Sequence, residues 1–322
     1  MGRLTAGLAT LAAISLTASG CMTVHGELEA VPSATKAEAA QALSAFTVAY
    51  NKADKAYDPA LDEGRVTGAL GAINQAGLKA RHALSPDGNT RHTDLQLSDA
   101  KFAIPKKAGW PRWFVADTDS NRDRDGGQQD TRWLVVFVRN AVDQQWKAAY
   151  LSVLTPAEVP VFARDKDGWA EPVKPAAASL AVAPRNLSAQ YASYLRSGAP
   201  AHFAAGTHTS VWRRSRARNA DLPGLSTQYV DQPLASGDYR PLGLATRGGG
   251  ALVFFATRHF EQQTAAKGLH LTVSPDVKAL LSGDAKTTIT KERVSNEAAR
   301  VPAQGQVTIL DREQGLVAAK GA

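Results

Sequence analysis

Thiol chemistry is nearly absent from this chain: one cysteine, Cys21, stands among 322 residues. An intramolecular disulfide is therefore impossible. A thiolate zinc centre within one chain is excluded too, because it needs several Cys or Cys/His ligands. Long apolar runs are missing after the first twenty residues, so nothing later is built to cross about 30 Å of hydrocarbon as a helix. Local catalytic signatures are also missing. The seven histidines (His25, His82, His92, His202, His208, His259 and His270) show no HxH, HxxxH or HExxH spacing. Gly224-Leu225-Ser226-Thr227-Gln228 lacks the closing glycine of a nucleophile elbow, and no P-loop lysine follows Gly248-Gly249-Gly250. No motif calls for a cofactor, and the expectation is a protein that is not an enzyme.

What is present is globular: 44% hydrophobic and 21% charged residues. The length suits two domains of about 140 residues each. Met1 to Gly20 reads as a signal peptide, with a lone charge at Arg3, an apolar run from Leu4 to Leu16 and small residues after it. Its end, Leu16-Thr17-Ala18-Ser19-Gly20-Cys21, resembles the bacterial lipobox, in which cleavage falls between Gly20 and Cys21 and the thiol carries a diacylglyceryl group. Ala18 stands where Leu is commonest in that motif. The competing reading is an ordinary signal peptide with a chance cysteine. The lipobox reading is preferred because the sole cysteine occupies the required position. It places the protein at the cell membrane, lipid-anchored (palmitate or a similar acyl chain) on the extracellular face, with residues 21–34 as tether.

Thr35-Lys36-Ala37-Glu38 fits a capping box, and Leu43, Phe46, Tyr50 and Tyr57 follow at helical spacing until Pro59. Gly64 to about Ala83 predicts a second helix. Strands are expected at 95–97, 102–104, 113–115, 133–138 and 148–154, with Trp133 to Val138 apolar on both faces and hence central. Glu171 to Arg185 is Pro- and Ala-rich, and residues 174–185 are read as a linker. Asn186 then caps a helix that Gly198 stops, and strands are expected at 242–246, 251–257 and 270–273. Last comes a hairpin of Gln306–Leu310 with Leu316–Ala319 across Asp311–Gly315. The fold class is α+β: two tandem cone-shaped domains, 35–173 and 186–322, each with N-terminal helices packed on a curved antiparallel β-sheet.

That order resembles tandem nuclear-transport-factor-2-like (cystatin-like) domains. Local motifs resemble an actinobacterial lipoprotein family of a domain of unknown function. They are the lipobox at Cys21, Tyr50-Asn51-Lys52-Ala53, Trp110-Pro111-Arg112-Trp113-Phe114, Asp165-Lys166-Asp167-Gly168-Trp169 and Gly248 to Phe255. The resemblance implies a cone with a pocket between helices and bent sheet. It implies no particular chemistry, since that fold serves binding, scaffolding and catalysis alike.

Three clusters are candidate sites. Asn121, Asp123 and Asp125 with Gly126 match the first half of a calcium loop, but Arg132 stands where a bidentate Glu is needed, so a polar hairpin tip is preferred and no metal is expected. Trp212, Arg213, Arg214, Arg216 and Arg218 form the sharpest basic run. From Thr35 to Val173 there are 18 basic and 18 acidic residues, and from Lys174 to Ala322 there are 18 basic and 10 acidic. That asymmetry suits contact with an anionic lipid or wall polymer; a solvated loop fits equally well. Nucleic acid is not an expected partner outside the cell. Trp110-Pro111-Arg112-Trp113-Phe114 either lines a pocket for an apolar anion or, the preferred reading, starts a buried strand. The sequence thus points to an envelope lipoprotein that binds or scaffolds a lipid, wall component or envelope protein. The alternative is a small-molecule isomerase or dehydratase working by acid–base chemistry in a cone pocket.

Overall fold

The computed structural model describes residues 29–322. Cys21 and the signal-peptide reading of residues 1–20 lie outside the described residues, as does most of the expected tether.

The first half comprises β1 (Val31–Pro32), α1 (Lys36–Ala56), α2 (Gly68–Leu84), β2 (Leu97–Ala103), β3 (Lys106–Lys107), β4 (Arg112–Ser120), β5 (Arg132–Arg139) and β6 (Lys147–Leu154). The capping box starts α1: Glu38 N–H donates to Thr35 Oγ1 at 3.1 Å, and Thr35 N–H donates to the Glu38 carboxylate at 2.7 Å. The helix ends at Tyr57, in left-handed backbone just ahead of Pro59. β2, β4, β5 and β6 form an antiparallel sheet in that order. β5 lies inside it and is buried on both faces. Val135 and Phe137 pack with Phe46 of α1. Leu134, Val136 and Val138 point the other way, into a second cluster.

The second half comprises α3 (Pro184–Ser197), α4 (Trp212–Ala220), β7 (Asp221–Leu222), β8 (Leu225–Leu234), β9 (Leu242–Ala245), β10 (Ala251–Ala265), α5 (Pro275–Ala279), β11 (Leu281–Ser282), β12 (Thr288–Val301) and β13 (Thr308–Gly321). Its sheet runs β11-β13-β12-β10-β8-β7, with β9 beside the start of β10. All pairings are antiparallel except β11 with β13.

The layers are α1, first sheet, second sheet, then α3. Val115, Val136 and Tyr150 of the first sheet share one core with Leu244, Phe254 and Ala298 of the second. Leu187, Tyr191 and Leu195 of α3 cover the far face, against Val253, Phe255 and Val301. The edge of β6 abuts the second sheet and is satisfied by side chains. Asn296 Oδ1 accepts from Leu151 N–H at 3.2 Å, its Nδ2 donates to Leu151 O, and the Asp311 carboxylate accepts from Val153 N–H at 3.0 Å. An edge that would otherwise be open for strand pairing is thereby closed.

α2 is wedged at this junction. A Cβ on Gly68 (φ +55°) would sit 2.5 Å from Asp238 O, and one on Gly315 would sit 2.6 Å from Ile73 Cγ2. Asp238 also accepts hydrogen bonds from Thr67 Oγ1 and, at 2.9 Å, from Asn140 Nδ2.

Several local expectations are corrected. The 306–319 hairpin is one continuous strand, β13, because β12 pairs along it through two bulges. Its polar middle is strand interior, and Asp311 and Arg312 point to opposite partners. Residues 270–273 form no strand. α3 starts at Pro184 with Ala183 as N-cap, ahead of Asn186 and within the stretch read as linker. The 212–218 run is helical, not a loop.

Candidate functional site

The junction leaves a cavity of about 410 Å³ between α2, α5 and the β12–β13 face. Its walls are apolar: Leu70, Ile73 and Leu84 from α2, Leu151 from the β6 edge, Leu280 and Leu316 opposite. The volume falls within the usual range for small-molecule sites. Two of the polar residues that line it, Asn74 and Asn296, are already committed. Asn74 Nδ2 donates to Asp62 at 2.6 Å and Gln75 Nε2 to the same carboxylate at 2.5 Å. Burial pushes the Asp62 carboxyl up to about 6 despite those bonds. Asn296 is spent on the β6 backbone. Burial likewise raises the Tyr50 phenol. Arg81 is the loosely held group: its guanidinium is 43% exposed, 3.9 Å from Asp54 and 5.4 Å from the Tyr57 ring centre. Among the described residues, no nucleophile beside a base converges on this space. The arrangement can hold a small, largely apolar molecule and meet its polar end at the rim through Arg81, Asp276 or Glu313.

A second constellation lies on the far face of the second sheet, beneath α3 and α4. His259 Nδ1 is 2.6 Å from Asp231 Oδ1, and His259 Nε2 is 3.0 Å from Thr257 Oγ1. Thr257 Oγ1 is 2.6 Å from Glu297 Oε1. Arg216 Nη1 donates to both Asp231 oxygens at 2.9 Å. Pairing places these groups together: Asp231 faces His259 across β8–β10, and Thr257 sits diagonally from Glu297 across β10–β12. Burial raises the Glu297 carboxyl to about 8 and lowers the His259 imidazole to about 4. Asp231 is held below the usual carboxylate range: burial opposes this, and the bonds to His259 and Arg216 outweigh it.

Those directions fix the protons at neutral pH. A protonated Glu297 donates to Thr257, Thr257 donates to neutral His259, and His259 donates to ionised Asp231. The order matches an acid–base–nucleophile row. However, Thr257 and Glu297 are fully buried, and the hollow at His259 is only about 160 Å³. Chemistry needs a substrate within reach of the base; what the bonds themselves do is tie β8, β10 and β12 together.

The structure separates the basic run. Arg214 and Arg218 are exposed. Trp212 turns inward, with the guanidiniums of Arg312 and Arg216 at 3.3 and 3.8 Å from its ring centre. Arg216 is buried on Asp231, and Arg213 lies over Tyr194 and donates to Leu195 O. In the acidic loop, Asn121 is occupied by Gln96 N–H and Asp94 O, both at 2.9 Å. Asp119, Asp123 and Asp125 are the carboxylates whose oxygens come within 4.8 Å of one another, and Asp123 accepts from Thr131. Trp113 and Phe114 are core, whereas Trp110 is exposed. Sequence reasoning missed the Asp231–His259–Thr257–Glu297 row. Thr257 and His259 two residues apart at the end of an apolar strand were the available signal.

Among the described residues, no helix is long and apolar enough to cross a membrane. A family profile described as "Domain of unknown function (DUF8094)" matches residues 30–321, spanning both halves. An uncharacterized lipoprotein of Streptomyces coelicolor is 56% identical over 314 residues, covering 97% of this chain and 94% of the relative. An uncharacterized lipoprotein of Streptomyces avermitilis is 55% identical over 325 residues, covering 99% and 96%. A further Streptomyces coelicolor lipoprotein is 28% identical over 330 residues, covering 94% and 89%.

Proposed function

This chain belongs to the family of the domain of unknown function DUF8094, and from the lipoprotein names of its near full-length relatives we propose that it is an extracytoplasmic binding lipoprotein, anchored through Cys21, whose junction cavity takes a small, largely apolar molecule. Two acyl chains on a thiol suffice for stable anchoring, where one does not. The observation that carries the binding assignment is the apolar wall of Leu70, Ile73, Leu151, Leu280 and Leu316 around about 410 Å³ of space. Helix followed by antiparallel sheet occurs in both halves, which supports reading them as two diverged copies of a nuclear-transport-factor-2-like plan.

Gly77 supplies the test. It lines the cavity, and the atoms nearest to a Cβ there belong to the Arg81 guanidinium, 3.8 Å away. Gly77→Leu therefore fills the space without a backbone clash, and it favours the helix by about 1 kcal/mol. Wild-type protein titrated with phenylnaphthylamine, an apolar fluorescent probe, should show saturable binding at one site. Gly77→Leu should lose it while unfolding at the same or a higher temperature. Equal binding by both proteins, or none by wild type, refutes the cavity as a site.

A further inference from the structure

β1, the first strand after Cys21, lies beside one particular loop. β1 pairs with β3, Val31 opposite Lys107 and Pro32 opposite Lys106. Residues 108–111 follow directly and include Trp110, which is 36% exposed. Arg112 reaches back to donate to Pro32 O at 3.5 Å. Cys21 precedes Val31 by ten residues, so even a fully extended chain separates them by at most about 36 Å.

Two cations lie over the Trp110 ring. The guanidiniums of Arg112 and Arg139 lie 4.8 and 5.2 Å from its ring centre, and Arg139 is also 4.8 Å from the ring centre of Trp146. Among the described residues, Lys107 Nζ donates to carbonyls, Ala108 at 3.1 Å and Trp110 at 3.4 Å. Burial, then the charges of Arg240 and Arg112, hold its ammonium below the usual lysine range. Glu38 is the carboxylate that approaches, 3.9 Å from Arg139, and it is already bonded to Thr35.

We propose that this loop is a second, non-covalent membrane contact, seating Trp110 at the headgroup level and presenting Lys107, Arg112 and Arg139 to the phosphates of anionic lipids. The proposal rests on the anchor at Cys21, which brings this face to the bilayer. The exposed indole favours a lipid surface over a soluble anion, because tryptophan partitions to the membrane–water interface. It also selects this face over α4, whose Trp212 is turned inward and whose exposed cations are Arg214 and Arg218.

The test uses the signal-peptide-free chain, residues 21–322, carrying Cys21→Ser, so that no acyl chain contributes. Co-sedimentation compares vesicles of mixed phosphatidylglycerol and phosphatidylcholine with phosphatidylcholine alone, at ionic strengths of about 0.1 and about 0.5 M. Binding should require phosphatidylglycerol and weaken in salt. Each lost cation should cost about fivefold, so Arg112→Gln with Arg139→Gln should weaken binding about 25-fold. Trp110→Ala should weaken it at both salt concentrations, and Arg214→Gln with Arg218→Gln should leave it unchanged. Lys107→Gln, a change at a half-exposed side chain, keeps the test decisive if the double arginine variant fails to fold. No binding, equal binding to neutral vesicles, or loss confined to the Arg214/Arg218 variant overturns the proposal. Binding of inorganic phosphate without binding of vesicles would assign the cluster to a soluble anion and overturn the membrane contact. An acylated native Cys21 alongside a non-binding Cys21→Ser chain would refute the loop alone and leave the anchor standing.

Discussion

Replacing Glu297 with Gln should make the protein's stability less sensitive to alkaline pH. Glu297 is fully buried, its Oε1 meets Thr257, and its Oε2 has no partner. Burial raises its carboxyl from 4.5 to about 8 in the folded state. Between those values the unfolded chain has lost a proton that the folded chain keeps, so folding weakens as pH rises. Each unit of pKa difference corresponds to about 1.4 kcal/mol, so Glu297 alone should remove about 2 kcal/mol between pH 6 and pH 8. Gln keeps the shape and a donor toward Thr257 without a titrating proton. Urea unfolding of both proteins at pH 6 and pH 8 reads the difference directly. The stability gap between variant and wild type should move in the variant's favour by about 2 kcal/mol across that range. An unchanged gap would mean that Glu297 is ionised in the folded state, and the proton order assigned to the row would be wrong.

Phe254→Ala, at a fully buried position in the core shared by both sheets, should cost about 3–5 kcal/mol in chemical denaturation. A single unfolding transition should move as a whole; a loss confined to one of two transitions would contradict a shared core. Arg216→Met should leave the Asp231 carboxylate, whose side chain is 1% exposed, without its cation and with His259 as its remaining donor, and cost about 3 kcal/mol. Because the Arg216 charge helps depress His259, the imidazole should titrate higher in this variant by NMR, and an unmoved titration would refute the coupling. Gly77→Leu should abolish phenylnaphthylamine binding without loss of thermal stability, as measured by fluorescence titration and calorimetry.

The legible parts of the fold were those with a local signature. The α1 capping box, the two-faced burial of β5 and the stop at Gly198 follow from residues adjacent in sequence. β8 and β12 were not legible. Thr290, Lys291, Glu292 and Arg293 show no apolar alternation, because the ladder of β10 and β13 on either side, not a buried stripe, holds that strand. β13 was broken in two by Asp311 to Gly315, since no local rule shows that Asp311 will accept from Val153 in another sheet. The cavity escaped for the same reason: its walls come from residues more than two hundred positions apart. Of the basic run, the sequence could show the charge but not that Arg216 has a buried carboxylate 15 positions onward. Trp110 was grouped with Trp113 and Phe114 as core, and the structure divides them, since only the latter two lie within the strand's buried stretch.

The most direct test of the lipid anchor is intact mass spectrometry of the protein extracted from native membranes, with sequencing of its amino terminus. The spectrum should show a chain that begins at Cys21 and carries the added mass of a diacylglyceryl group. An uncleaved chain, or a terminus at residue 21 with an unmodified thiol, would contradict the anchor.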